Sequence, residues 1–169
     1  MSNTAELEKM VYADLERHRQ ALADYLKIDP KDITVCPARI NDIPTFQTER
    51  ILYLVGTEEE VEAGIRGYFE HNLRELDTAF ISQHAGLSSA DAQMLGRLCE
   101  VLYEETATDI LNDALLGVVK RCGDLRRLID AAAAEVNRGE FLAMDGREIA
   151  FGEYLIYRFQ EGQCSDLNY

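Results

Sequence analysis

A chain of 169 residues, 47% hydrophobic and 28% charged, has the composition of a folded protein long enough to bury a core, expected as one domain over residues 1–160 with a loose polar tail at 161–169. Its formal charge of -14, from 31 acidic and 17 basic residues, argues against direct binding to DNA, RNA or an anionic membrane, where cations must displace counterions. No window approaches eighteen uninterrupted apolar residues, which excludes a transmembrane helix, and MSNTAELEKM lacks the basic-then-apolar layout of a secretory signal, so the expected location is the cytoplasm.

The first helix is expected from about Asn3 or Thr4, with Asn3 and Glu6 as a capping-box-like pair. Leu7, Val11, Leu15, His18, Leu22 and Tyr25 mark one stripe, which ends near Lys27 ahead of Asp29-Pro30. On that stripe His18 reads as a satisfied, partly buried imidazole rather than a ligand. Residues 28–50 hold Pro30, Pro37 and Pro44 and are the least regular part, with a short strand candidate at 33–35. The run RILYLV at 50–55 is a better one, β-branched and aromatic and bounded by Gly56.

Thr57 and Glu60 form a capping box that opens a helix from Glu58 toward His84, and carboxylates at 58–60 suit the positive end of its dipole. Gly64 and Gly67 each cost about 1 kcal/mol against Ala in a helix, which signals a close approach or a kink. Gly86 reads as a C-terminal stop and Ser88 or Ser89 as the next N-cap, before a third helix carrying Met94, Leu95, Leu98 and Leu102. A break at 105–108, capped by Thr108, leads to a fourth helix through Leu111, Leu115 and Val118 that stops at Gly123. Asp124 caps a fifth, which Asn137-Arg138-Gly139 closes.

The tail changes period. FLAMDGREIAF has two short apolar runs around Asp145-Gly146, a hairpin signal that sets Leu142 opposite Ile149 and puts Met144 and Phe151 on one side; residues 154–159 make a third strand. The expected fold is α+β: mostly helical, about five helices, with a small antiparallel C-terminal β-meander and one or two short strands near 33–35 and 50–55. The pattern leaves open whether the strand at 50–55 joins the C-terminal sheet.

Cys36, Cys99, Cys122 and Cys164 show no CxxC spacing, so they read as reduced thiols, not as a zinc site or disulfide framework. Neither GxGxxG, GxxxxGK[ST] nor HExxH occurs, and no Glu-x-x-His supports a di-metal bundle. No cofactor or metal is expected: His71 and Glu75, four apart, are two ligands and not a site. Cys122 lies in the basic cluster Lys120, Arg121, Arg126 and Arg127, but at a helix C-terminus, whose dipole opposes thiolate formation.

Charge is concentrated in one block. Residues 51–115 hold thirteen acids against Arg66, Arg74 and Arg97, while the segments on either side each hold nine acids and seven bases. Such runs are usually solvated helix faces. The sharper expectation is a non-catalytic acidic interaction module whose partner-binding residues are Glu100, Glu104, Glu105, Asp109 and Asp113, widened by Glu58, Glu59, Glu60, Glu62 and Asp91. Carboxylates four apart on a helix are about 6 Å apart, near the spacing of successive phosphates. The expected partner is thus a basic protein surface, such as a nucleic-acid-binding enzyme, with this chain as a nucleic-acid-mimicking inhibitor of a restriction or CRISPR-type effector. The alternatives are a small enzyme with its site between helices and C-terminal sheet, tested through Cys122 or His71, and an adaptor binding through an exposed patch at Leu155, Tyr157 and Phe159.

Overall fold

A computed structural model of the chain describes residues 3–102 and 108–167, the side chains of 3–8 and of 108 excepted. The order is α1 (Asn3–Leu26), β1 (Ile33–Val35), β2 (Thr45–Thr48), β3 (Ile51–Thr57), α2 (Glu58–His71), α3 (Thr78–Ala85), α4 (Ser89–Leu102), α5 (Thr108–Cys122), α6 (Leu125–Glu135), α7 (Arg138–Leu142), β4 (Ile149–Phe151) and β5 (Tyr154–Glu161). Short 3-10 turns lie at Pro30–Asp32, Leu73–Glu75 and Cys164–Asp166. The fold is α+β, as expected. Its contacts gather into two compact units rather than one: Met1–Gly64 with Asn137–Tyr169, and Ile65–Val136.

The first unit is built on a five-stranded antiparallel sheet of order β1-β2-β3-β5-β4. The strand at 50–55 therefore does join the C-terminal strands, pairing along β5 from Ile51–Glu161 to Thr57–Tyr154. Alternate residues serve opposite faces. Tyr53 and Val55 on β3, with Phe46, Tyr154 and Ile156, form a core under Ala21, Leu22 and Ala23 of α1. Leu52 packs instead with Cys36, Ala38 and Leu167. Of the apolar stripe read from the sequence, Leu15, His18, Leu22 and Tyr25 lie toward the sheet, whereas Val11 is exposed and the side chain of Leu7 lies outside the described ones.

The second unit is helical. Its buried residues include Ile65, Phe69, Leu73, Ile81, Leu95, Leu115, Val119 and Leu128, and α3 packs against α4 and α6 while α4 packs against α5. Gly123 has a steric reason: a Cβ there would stand 2.8 Å from the Ala85 carbonyl, which already accepts the Asp124 N–H.

Several boundaries differ from the sequence expectation. The helix drawn from Glu58 to His84 ends at His71; Asn72 leaves helical geometry at φ -135°, and the Asp77 carboxylate caps a separate α3 through the Ala79 N–H. Strand β2 went unpredicted because four residues between Pro44 and Glu49 are too short a pattern to read. The Asp145-Gly146 hairpin does not form. Asn137 starts a helix there instead of closing one, its side chain accepting from the Glu140 N–H, and a Cβ on Gly139 would meet the Gly146 carbonyl at 2.4 Å. Only two C-terminal strands result, turning at Gly152 (φ 62°).

The thiol reading is corrected most sharply. Cys36 and Cys164 form a disulfide across 128 residues with Cα atoms 5.3 Å apart, and only Cys99 and Cys122 are free. Sequence spacing could not show this, because the sheet creates the proximity. The segment read as a loose tail is tied down through residue 167: the Cys164 N–H donates to Gln47 Oε1, and Leu167 is buried.

Candidate functional site

The ten carboxylates proposed as a contact surface divide between the two units. In the first unit, Glu58 at the start of α2 pairs with Arg138, whose guanidinium also meets Glu148 Oε2 at 3.0 Å. Glu60 closes the capping box, accepting from the Thr57 N–H at 2.7 Å while its own N–H donates to Thr57 Oγ1 at 3.3 Å. Glu59 and Glu62 are exposed and make no ion pair among the described residues.

In the second unit, Asp91 accepts from the Ser88 hydroxyl at the start of α4, a capping role that explains it locally. Glu100, Asp109 and Asp113 are exposed and likewise unpaired among the described residues. Glu104 and Glu105 lie outside those residues. Helices α4 (to Leu102) and α5 (from Thr108) pack against each other, so Glu100 and the pair Asp109 and Asp113 stand on two packed helices, and among the described residues of the row Asp109 and Asp113 share a helix face at that spacing. Beside them stand large apolar residues that sequence reading missed: Val101 is 66% exposed and Ile110 52%, next in sequence to Glu100 and Asp109. The signal was available, since both fall off the buried stripe of Leu95, Leu111, Leu115 and Val118.

The first unit carries a second polar cluster, at His18. The imidazole is essentially buried, its ring centroid 4.8 Å from that of Tyr154. Nδ1 stands 2.7 Å from the Asp14 carbonyl and Nε2 2.7 Å from Glu60 Oε2. The side-chain donor atoms of Asp14, His18 and Glu60 all lie within 4.8 Å of one another. Burial pushes the Tyr154 phenol upward, with the neighbouring Glu153 carboxylate adding to it. Alongside runs an open cavity of about 340 Å³ lined by Arg17, Gln20, Asp24, Phe151, Glu153 and Tyr154.

A third group lies at Tyr157, which is fully buried and donates its hydroxyl to Glu148 Oε2. Burial, then that hydrogen bond to a carboxylate, hold its phenol far above the ordinary tyrosine range. Tyr157 and Leu155 are therefore core, and Phe159 is half-buried, so the exposed apolar patch required by the adaptor alternative does not form.

The other sequence candidates do not converge. His71 Nδ1 donates to the Gly67 carbonyl, whereas Glu75 accepts from the Tyr68 hydroxyl. Burial and that bond push the Tyr68 phenol up to about 12. Cys122 is exposed, and Lys120, Arg121, Arg126 and Arg127 make no ion pair among the described residues. No helix among those residues is long and apolar enough to cross a membrane. No protein-family model, curated protein or solved structure matches the chain.

Proposed function

We propose that the protein is an acidic interaction module that binds a basic protein surface through α4 and α5 of its helical unit. One observation carries this reading: Glu100, Asp109 and Asp113 are exposed without counter-ions among the described residues, and Val101 and Ile110 stand exposed beside them. Charge without compensation favours a cationic partner, and large apolar side chains give it area to bury. The matching surface is rich in lysine and arginine with apolar side chains between, as nucleic-acid-binding enzymes present. Blocking such a surface is how a nucleic-acid-mimicking inhibitor of a restriction or CRISPR-type effector would act. The expected cytoplasmic location is not carried into this reading, because a disulfide such as Cys36–Cys164 persists where thiols oxidise.

The test compares the wild-type chain with the triple variant E100K/D109K/D113K, both immobilised and exposed to cell lysate at about 0.1 M and then 0.5 M salt. Support is a nucleic-acid-binding protein held by the wild type, released by the higher salt and not held by the variant, whose far-UV circular dichroism and melting match the wild type. Retention that ignores both salt and charge reversal, or no retention at all, overturns the proposal.

A further inference from the structure

We propose that Asp14, His18 and Glu60 bind a divalent transition-metal ion of the zinc class, joining α1 to the first turn of α2. This inference concerns the sheet-containing unit and does not depend on the acidic surface of α4 and α5.

The starting point is a contact between acceptors. The Asp14 carbonyl can only accept, so His18 Nδ1 carries a proton and donates it there at 2.7 Å. In the neutral ring Nε2 is then a lone pair, and it stands 2.7 Å from Glu60 Oε2, another acceptor. A proton must lie on one side of that contact, on the ring or on the carboxyl, unless a metal ion takes its place. Nδ1 donation to a backbone carbonyl is the arrangement that orients a metal-ligating histidine and fixes which nitrogen faces the ion. Glu60 is oriented in the same way, because its Oε2 also accepts the Thr57 N–H at 2.7 Å.

Two features favour the metal over the proton alone. The third donor, Asp14, is already within 4.8 Å of the other two, and it comes from the same face of α1 as His18, one turn earlier. A tetrahedral ion at 2.0–2.2 Å from each ligand needs donor atoms about 3.4 Å apart. Reaching this requires widening the Nε2–Oε2 contact by about 0.7 Å and turning Asp14 inward. Asp14 is now held by Arg17 at 2.9 Å, but that arginine is largely exposed and surface ion pairs yield readily. The donor set, one imidazole and two carboxylates, suits zinc or manganese better than calcium. Tyr154, its ring tilted against the histidine at 4.8 Å between centroids, shields one side.

The experiment titrates metal-free protein with Zn2+ alone by calorimetry and follows His18 by long-range proton–nitrogen NMR. Replacing His18 risks the fold, so the variants are Asp14→Asn and Glu60→Gln, the latter retaining a side chain able to cap α2. The expected result is one equivalent bound by the wild type, at least a tenfold loss of affinity in each variant, and a shift of the His18 Nε2 resonance on saturation. Three results overturn the proposal: no binding; wild-type affinity in both variants, which would assign the ion to surface carboxylates; or an Nε2–H signal that persists at saturating Zn2+, which would assign the contact to a proton.

Discussion

Gly64→Ala should destabilise the protein although helix propensity says the reverse. Gly64 sits in α2, where alanine is worth about 1 kcal/mol more than glycine. A Cβ built there, however, meets the Asn41 carbonyl oxygen at 2.4 Å and Ile43 Cγ1 at 2.9 Å. Neither neighbour can swing away: Asn41 and Asp42 hold positive φ angles, Ile40 and Ile43 are bridged, and Ile43 is fully buried. Overpacking costs about 1–3 kcal/mol, and a clash with a backbone oxygen belongs to the upper part of that range, so after the propensity gain the net loss should be up to about 2 kcal/mol. Gly96 in α4 and Gly117 in α5 supply the control, since nothing lies within 4 Å of a Cβ at either. Alanine at those two sites should stabilise by about 0.5–1 kcal/mol each. Urea unfolding followed by far-UV circular dichroism suits a chain without tryptophan and reads all three variants on one scale. If Gly64→Ala is as stable as the wild type or more so, the loop at 41–43 does not lie against α2 and the packing argument fails.

Thiol titration of the unfolded chain without reductant should count two reactive cysteines, Cys99 and Cys122, and four after reduction; four at the outset would refute the disulfide. Reduction should then lower stability by about 2–5 kcal/mol, given the long loop that the bond closes. Tyr157→Phe should cost about 1–3 kcal/mol, because it removes a hydrogen bond from a buried hydroxyl to a carboxylate; an unchanged urea midpoint would show that the Tyr157–Glu148 contact contributes nothing. The raised phenols of Tyr157 and Tyr68 also predict alkaline unfolding. The folded chain keeps these protons where the unfolded chain has released them, so their contribution is complete below about pH 10 and declines as pH rises beyond it. Absorbance near 295 nm should show Tyr68 titrating at about 12 while the chain stays folded, and a titration at the ordinary tyrosine value would contradict its environment. Asp124→Ala should lose about 1 kcal/mol through the α6 N-cap, read from the same urea curves, since Asp124 accepts the Arg127 N–H at 3.0 Å.

What the sequence determined by itself was local. Several stop and start signals read correctly because a side chain bonds its own neighbouring backbone, as at Thr57 with Glu60, Ser88 with Asp91, and Asp124, or because glycine takes the left-handed conformation, as at Gly86 (φ 68°); the Asp77 and Asn137 caps, of the same local kind, were not read as starts. The C-terminal half of the α1 stripe, at His18 and Leu22, was legible because burial on one face imposes its period, and β3 because a strand buried on both faces is a continuous apolar run. The tertiary structure alone decided what depends on distant partners. Asp145-Gly146 has the composition of a hairpin turn, yet Asn137 and the close seat of Gly139 under Gly146 settle that segment as a helix and loop. Cys36 and Cys164 meet only because β1 and the end of β5 belong to one sheet. His18 looked like one more residue on an apolar stripe; its meeting with Glu60, forty-two positions away, exists only once α1 lies on the sheet that leads into α2. Backbone capping is written within a few residues, whereas side-chain clusters and cross-links arise from chain segments that only the folded sheet brings together.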